Sequence, residues 1–175
     1  MKIGFIGLGN MATAIIGGLL RESTVLADGA AVTAADLIGS AKTEATRQAK
    51  ATQFGIAVTA DNREVAAAAD VLVLAVKPQF FPEVIAEIRG AVNENTLVIS
   101  IAAGLTLERI AALFGRDENT MRLIRCMPNT PALVNAGCTA VCLGAGATED
   151  DGALCLALME SFGRAIVIPE RLMDA

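Results

Sequence analysis

The sequence predicts an α/β fold, a doubly wound and mostly parallel sheet with helices on both faces. Three observations carry that expectation. Short apolar runs recur along the 175 residues, they are apolar throughout rather than alternating, and stretches with helical spacing separate them. Strands buried on both faces take this form, and right-handed crossovers between them build an open sheet. A chain of this length buries roughly 70% of the surface its unfolded form exposes, so an aliphatic core needs neither disulfides nor metal. With no linker before Pro169, residues 1–168 read as one domain.

Seven strands are expected, at 3–6, 37–40, 71–76, 97–101, 123–126, 139–143 and 165–168. Helices fill the gaps. Residues 11–21 place Ala12, Ile15 and Leu19 on one stripe, 43–54 is polar and Ala-rich, and 63–69 follows the cap candidates Asp61 and Asn62. A helix at 82–89 has proline in its first turn, 106–114 has Thr106 as N-cap, and 150–162 opens on acids that complement the helix dipole. The connection from Cys126 to Thr139 holds Pro128 and Pro131 and no helical period, so 139–143 is expected to return antiparallel by a loop. Residues 169–175 read as the start of a further unit that is cut short.

Composition removes whole chemistries. The chain has no His, which excludes an imidazole base for a Ser or Cys nucleophile, a His metal ligand and a neutral-pH proton switch. A net charge of −5 without a basic run argues against nucleic acid. Cys126, Cys138, Cys142 and Cys155 form no C-x-x-C pair, so no metal site is expected and all four read as reduced core residues of a cytoplasmic protein. Lys2 and the uncharged stretch 3–20 imitate a secretory signal, but five glycines with Asn10 and Thr13 fit strand, turn and helix better. No span reads as transmembrane.

Gly7-Leu8-Gly9-Asn10-Met11-Ala12 has the G-x-G-x-x-A spacing between the first strand and the first helix. The first glycine permits the tight turn, the second lets backbone approach a pyrophosphate, and Ala12 lets helix and strand pack closely, as in the Rossmann dinucleotide fold. Free N–H groups at the helix start hold the anion. Two placements of the second strand compete. If 31–35 is the strand, Asp36 ends it and accepts from a ribose diol, favouring NAD. If 37–40 is the strand, Ser40, Ala41, Lys42 and Thr43 meet the ribose, with hydroxyls and an ammonium suited to a 2′-phosphate; the apolar pair Leu37-Ile38 favours this second placement and so NADP(H) over NAD(H).

Three further loops follow expected strand ends, where ligands of doubly wound sheets sit. Lys77-Pro78 offers a point charge and a stiff turn, against the plainer reading of a surface lysine. Residues 100–104 are small enough for a flat ring to lie near backbone, although small residues also suit a tight turn. Residues 125–131 hold Asn129 and Thr130 between two prolines, either to fix a small polar substrate or as a stiffened crossover. Cys126 lacks a base and is no nucleophile, and Glu149, Asp150 and Asp151 read as dipole partners.

Together these loops resemble one family, the pyrroline-5-carboxylate reductases, across essentially all 175 residues. The resemblance rests on residues 6–12 with Ala14, Asp61-Asn62, Ala75-Val76-Lys77-Pro78-Gln79, residues 100–104, and Arg125-Cys126-Met127-Pro128-Asn129-Thr130-Pro131. It implies that Ile6, Gly7, Leu8, Gly9, Asn10 and Met11 bind the pyrophosphate and that Ser40 or Ala41 and Asn62 meet the adenosine side. Ala75, Val76, Lys77 and Pro78 with Ile101, Ala102 and Ala103 would line the ribose and nicotinamide side, and only Asn129 and Thr130 would touch substrate. The implied activity is hydride transfer from NAD(P)H to the C=N of 1-pyrroline-5-carboxylate, giving L-proline in proline biosynthesis. Family members continue into a helical domain that dimerises and completes the substrate pocket. From this the 169–175 segment reads as that domain's truncated start, no catalytic residue is transferred, and the chain is expected to bind cofactor but to be inactive alone. The rival readings are a non-catalytic dinucleotide sensor and another Rossmann dehydrogenase of the β-hydroxyacid type.

Overall fold

The computed structural model describes residues 1–22, 24–26 and 29–174. Eight strands form one sheet in the order β3-β2-β1-β4-β5-β6-β7-β8. They are β1 (Ile3–Ile6), β2 (Leu37–Ser40), β3 (Ala57–Thr59), β4 (Val71–Leu74), β5 (Leu97–Ser100), β6 (Leu123–Met127), β7 (Gly137–Leu143) and β8 (Gly163–Val167). The helices are α1 (Asn10–Arg21), α2 (Glu44–Phe54), α3 (Asn62–Ala68), α4 (Phe81–Ile88), α5 (Leu107–Phe114) and α6 (Glu149–Glu160). The first six strands are parallel, and the order reverses at β1, which pairs with β2 on one side and β4 on the other.

The central strands β1, β4 and β5 are buried at every position because each face has its own helical cover. In β4, Val71 and Val73 join Phe5, Ile15, Ile16, Leu19 and Phe162 beneath α1 and α6. Leu72 and Leu74 join Val65, Phe81, Ile85, Ile110 and Phe114 beneath α3, α4 and α5. Side chains alternate across a strand, so a sheet covered twice shows no alternation in polarity. No described helix is long and apolar enough to cross a membrane.

The expected mostly parallel, doubly wound sheet is present, and β7 does return antiparallel to β6, with Met127 opposite Ala140. Several details differ from expectation. β3 was missed, since its three residues are exposed or half-buried at the sheet edge and carry no apolar run. β8 lies parallel to β7, so both run opposite to the first six strands, whose tips converge at the loop end. Strand bounds also shift: β4 stops at Leu74, β6 runs on to Met127, and β7 and β8 each begin at a glycine that no apolar run announces. The connection after β6 carries a 3₁₀ turn, Thr130–Val134, with Ala132 buried in the α1 layer. Cys138 is exposed rather than in the core, while Cys126, Cys142 and Cys155 are buried and all four are free.

The alternative second strand at 31–35 is absent. Ala34–Asp36 is a 3₁₀ turn whose Asp36 carboxylate accepts from Thr33 N–H and Oγ, each at 2.8 Å, at the end of β2 remote from the glycine loop. Those hydrogen bonds hold the Asp36 carboxyl below its usual range. Ala27 and Asp28 of the expected 27–36 loop, and Ala175 of the expected 169–175 unit, lie outside the described residues.

Candidate functional site

The carboxyl ends of β1, β2, β4, β5 and β6 place the five expected loops along one end of the sheet. Their backbones are tied at the tips: Gly7 N–H donates to Ser40 O, Ala75 N–H to Ile6 O and Ile101 N–H to Leu74 O, at 2.9–3.2 Å. Gly7 turns the chain at φ +95°, and a Cβ there would lie 2.9 Å from the Ala75 carbonyl oxygen and the Val76 side chain. Gly7→Ala is therefore expected to cost about 2 kcal/mol, the range for a strained left-handed residue, read as a lower urea midpoint at unchanged slope.

Gly9 is the N-cap of α1, and no side chain caps the helix. A helix start leaves its first backbone N–H groups without intrahelical partners, and the macrodipole adds positive potential there. Gly9 is exposed, and a Cβ built on it would meet nothing within 4 Å. The space in front of these N–H groups is thus a cradle that a side chain at position 9 would fill. It opens into a groove of about 450 Å³ lined by Gly7, Leu8, Gly9, Asn10 and Thr13 on one side and by Ala41, Lys42, Thr43, Thr46 and Lys50 on the other.

The second wall is built from β2 and α2. Thr43 caps α2, its Oγ accepting from Thr46 N–H at 3.3 Å. Thr43, Thr46 and Lys50 recur at helical spacing, so they share a face. The Arg47 guanidinium donates to the carbonyls of Ala41 and Lys42 at 2.7 and 2.9 Å, which fixes the turn after β2. The Lys42 ammonium lies 5.4 Å from the centre of the Phe80 ring, across from the loop that follows β4. Positive side chains thus gather at this groove although the chain as a whole is acidic.

The structure brings Ser40 and Asn62 together. Ser40 Oγ is buried and donates to Asn62 Oδ1 at 2.7 Å, and Asn62 Nδ2 donates to Glu87 at 2.9 Å. Lys77 is exposed before the 3₁₀ turn Pro78–Phe80. After β5, the Ser100 hydroxyl accepts from Ala102 N–H at 3.3 Å, which tightens the small-residue loop and leaves Ala103 exposed. Asn129 and Thr130 are exposed after β6, and Asn129 Oδ1 accepts from Cys138 N–H at 2.9 Å, so half of that amide holds the start of β7. Cys126 is fully buried with its Sγ 3.4 Å from Cys155 Sγ; that hydrogen bond and burial push its thiol well above the usual range, which leaves it no nucleophilic role.

Thr46 and Lys50 were missed by the motif reading. Their helical register with Thr43 was the one trace in the sequence, and a solvated helix face shares it.

Residues 2–104 match the family model described as NADP oxidoreductase coenzyme F420-dependent. The chain is 43% identical over 174 residues to the pyrroline-5-carboxylate reductase of Escherichia coli (strain K12), an alignment covering 98% of this chain and 60% of that protein. Among solved structures it is similar to a pyrroline-5-carboxylate reductase from Coxiella burnetii, with TM-score 0.87, 32% identity, 97% of this chain and 59% of that one. It is also similar to the Plasmodium falciparum pyrroline carboxylate reductase with NADP bound, with TM-score 0.80, 26% identity, 99% of this chain and 60% of that one. The chain therefore spans about 60% of the length of these relatives.

Proposed function

This chain belongs to the family described as NADP oxidoreductase coenzyme F420-dependent, and from that premise we propose that it is the dinucleotide-binding part of a pyrroline-5-carboxylate reductase using NADP(H), with NAD(H) as the weaker alternative. The observation that carries the cofactor assignment is the uncapped α1 N-terminus, open at Gly9 into a groove with Lys42 and Lys50 opposite. The similarity to the Escherichia coli enzyme supports the substrate.

Gly9, Asn10 and Met11 would hold the pyrophosphate through backbone N–H groups. Ser40, Ala41 and Asn62 would meet the adenosine ribose, and Lys42 and Lys50 with the Thr43 and Thr46 hydroxyls would receive a 2′-phosphate. Residues 75–78 and 101–103 would line the nicotinamide half, with Asn129 and Thr130 next to it on the substrate side. When bound, the reduced nicotinamide supplies a hydride for the imine carbon of 1-pyrroline-5-carboxylate. A protonated imine is already electrophilic, so the work of the protein is to align two rings and exclude water. The small side chains of Ala102 and Ala103 suit a close approach of ring to backbone, and the 78–80 turn stiffens the neighbouring loop. The free thiols suit a cytoplasmic setting.

We assign cofactor binding to the 175-residue chain and expect it to turn over pyrroline-5-carboxylate slowly or not at all by itself. Titration of the chain with NADPH and NADH, beside an assay with pyrroline-5-carboxylate, tests both points. NADPH should bind more tightly than NADH. A Lys42→Gln/Lys50→Gln variant should lose about tenfold in NADPH affinity, equivalent to about 1.4 kcal/mol for two exposed charge contacts, and less than twofold in NADH affinity. Equal losses for both nucleotides would remove the 2′-phosphate assignment, and absence of binding to either would remove the dinucleotide reading.

A further inference from the structure

Arg125 is the largest fully buried side chain among the described residues, and no step of the proposed function uses it. It lies on β6 in register with Ser100 of β5 and Cys142 of β7. Two carboxylates from the segment after β8 reach it: Asp174 Oδ1 accepts from NH2 at 2.5 Å, and Glu170 Oε1 lies 3.5 Å from NH1. The Nε and NH1 find no hydrogen-bond partner among the described residues, so Glu170 meets the guanidinium as an ion pair only.

Glu170 has a second engagement, at the point where the β5–α5 loop gives way to α5. Glu170 Oε1 accepts from Leu107 N–H, at the first residue of α5, at 2.7 Å. Asp174 is held below the usual carboxyl range first by Arg125 and also by the backbone N–H of Gly104, which turns the loop at φ +73°. One buried guanidinium therefore steadies two acids beside the β5–α5 loop: Glu170 holds the N–H that opens α5, and Asp174 pairs with the guanidinium next to the Gly104 turn. Burying such a charge is expensive, and a well-packed apolar residue is often as good or better for stability alone. A role in placing the loop accounts for its presence.

We propose that Arg125 is a positioning residue: through Glu170 and Asp174 it fixes the loop carrying Ile101, Ala102 and Ala103, and so the placement of the nicotinamide ring. The proposal rests on the dinucleotide reading above. The adenosine half, held by the turns after β1 and β2, is outside its reach.

The test compares wild type with Arg125→Met, Arg125→Lys and a Glu170→Gln/Asp174→Asn variant. Glu170→Gln/Asp174→Asn strips both carboxylates from a fully buried guanidinium and Arg125→Met removes the charge itself, so a thermal melt of each variant separates loss of fold from loss of loop placement. Two ligands are titrated, NADPH and 2′-phospho-ADP-ribose, which lacks the nicotinamide, and amide exchange is followed at Gly104 and Leu107. Arg125→Met and the double variant should lose about tenfold in NADPH affinity and less than twofold for the fragment, with faster exchange at both amides; Arg125→Lys should recover part of each. Unchanged exchange, or equal loss for both ligands, overturns the proposal. If wild type binds neither ligand, the dinucleotide reading fails, while the exchange data still decide whether Arg125 fixes the loop.

Discussion

Replacing Gly9 by valine will weaken NADPH binding by at least about 100-fold and leave the melting temperature within about 2 °C of wild type. The two halves of that expectation have separate causes. Gly9 sits at φ −77°, ψ −170°, an extended conformation open to any residue, and a Cβ there meets nothing in the protein. The glycine therefore relieves no clash, and valine forfeits only the modest preference for glycine at an N-cap. The added isopropyl group would occupy the space in front of the first free N–H groups of α1, where the pyrophosphate is expected. A 100-fold loss is about 2.7 kcal/mol, near the worth of one or two hydrogen bonds to a charged group. Isothermal titration and a thermal melt on the same sample separate the effects. Retained affinity would place the anion elsewhere, whereas Gly7→Ala should give the opposite pattern, with stability lost first.

Asp151→Asn is expected to cost about 2–3 kcal/mol and to lower the melting temperature by about 5–10 °C. Asp151 is only 2% exposed. It caps α6 reciprocally with Thr148 and pairs with Arg122 at the start of β6, Nε lying 3.0 Å from Oδ2 and NH2 forming a second, shorter contact. Breaking a fully buried pair costs about 3–5 kcal/mol, and the estimate sits lower because the Arg122 side chain is 35% exposed and shares its charge with water. Although burial raises the Asp151 carboxyl, the Arg122 hydrogen bonds and the Thr148 N–H outweigh it and hold it below its ordinary value. A depressed carboxyl contributes its full stability above the unfolded value of about 3.9. That contribution fades as pH falls through the lower folded value. Urea unfolding from pH 7 to pH 2.5 should show the wild type losing its advantage over the variant only below about pH 4; a constant gap would mean that the charge of Asp151 contributes nothing.

Much of this was legible in the chain because burial on two faces leaves a direct mark on composition. β1, β2, β4, β5 and β6 stand as short apolar blocks, and α3 and α5 are announced by Asp61 and Thr106 at their caps. The order of turn residues also pointed to five of the six loops that the sheet gathers at one end, the loop after β3 being the exception. What stayed hidden lacked that mark. β3 needs no apolar residues because its outer edge has no neighbour. The starts of β7 and β8 are glycines chosen for close packing, since a Cβ on Gly137 would lie 3.0 Å from the Ala132 backbone. Lys50 and Thr46 were hidden because a groove-lining helix face and a solvated one have the same composition. Arg125 was quoted only as a letter in a motif, since nothing local shows that a charged residue inside an apolar strand is met by acids 45 and 49 residues later.

The reversed pair at the far side of the sheet is also displaced along it. Met127 ends β6 opposite Ala140, so Gly137, Cys138 and Thr139 overhang the tip by three residues, about 10 Å at the usual rise. β8 follows that overhang and finishes at Val167, level with Val141 and only one step from the row that holds Cys142 and Arg125. A hairpin zipped flush with its neighbour would deliver the departing backbone two or three rungs deeper, and its acids would fall short of the guanidinium. The offset thus works as a spacer: it measures out how much strand the chain traverses before Glu170 and Asp174 come level with the guanidinium and the start of α5.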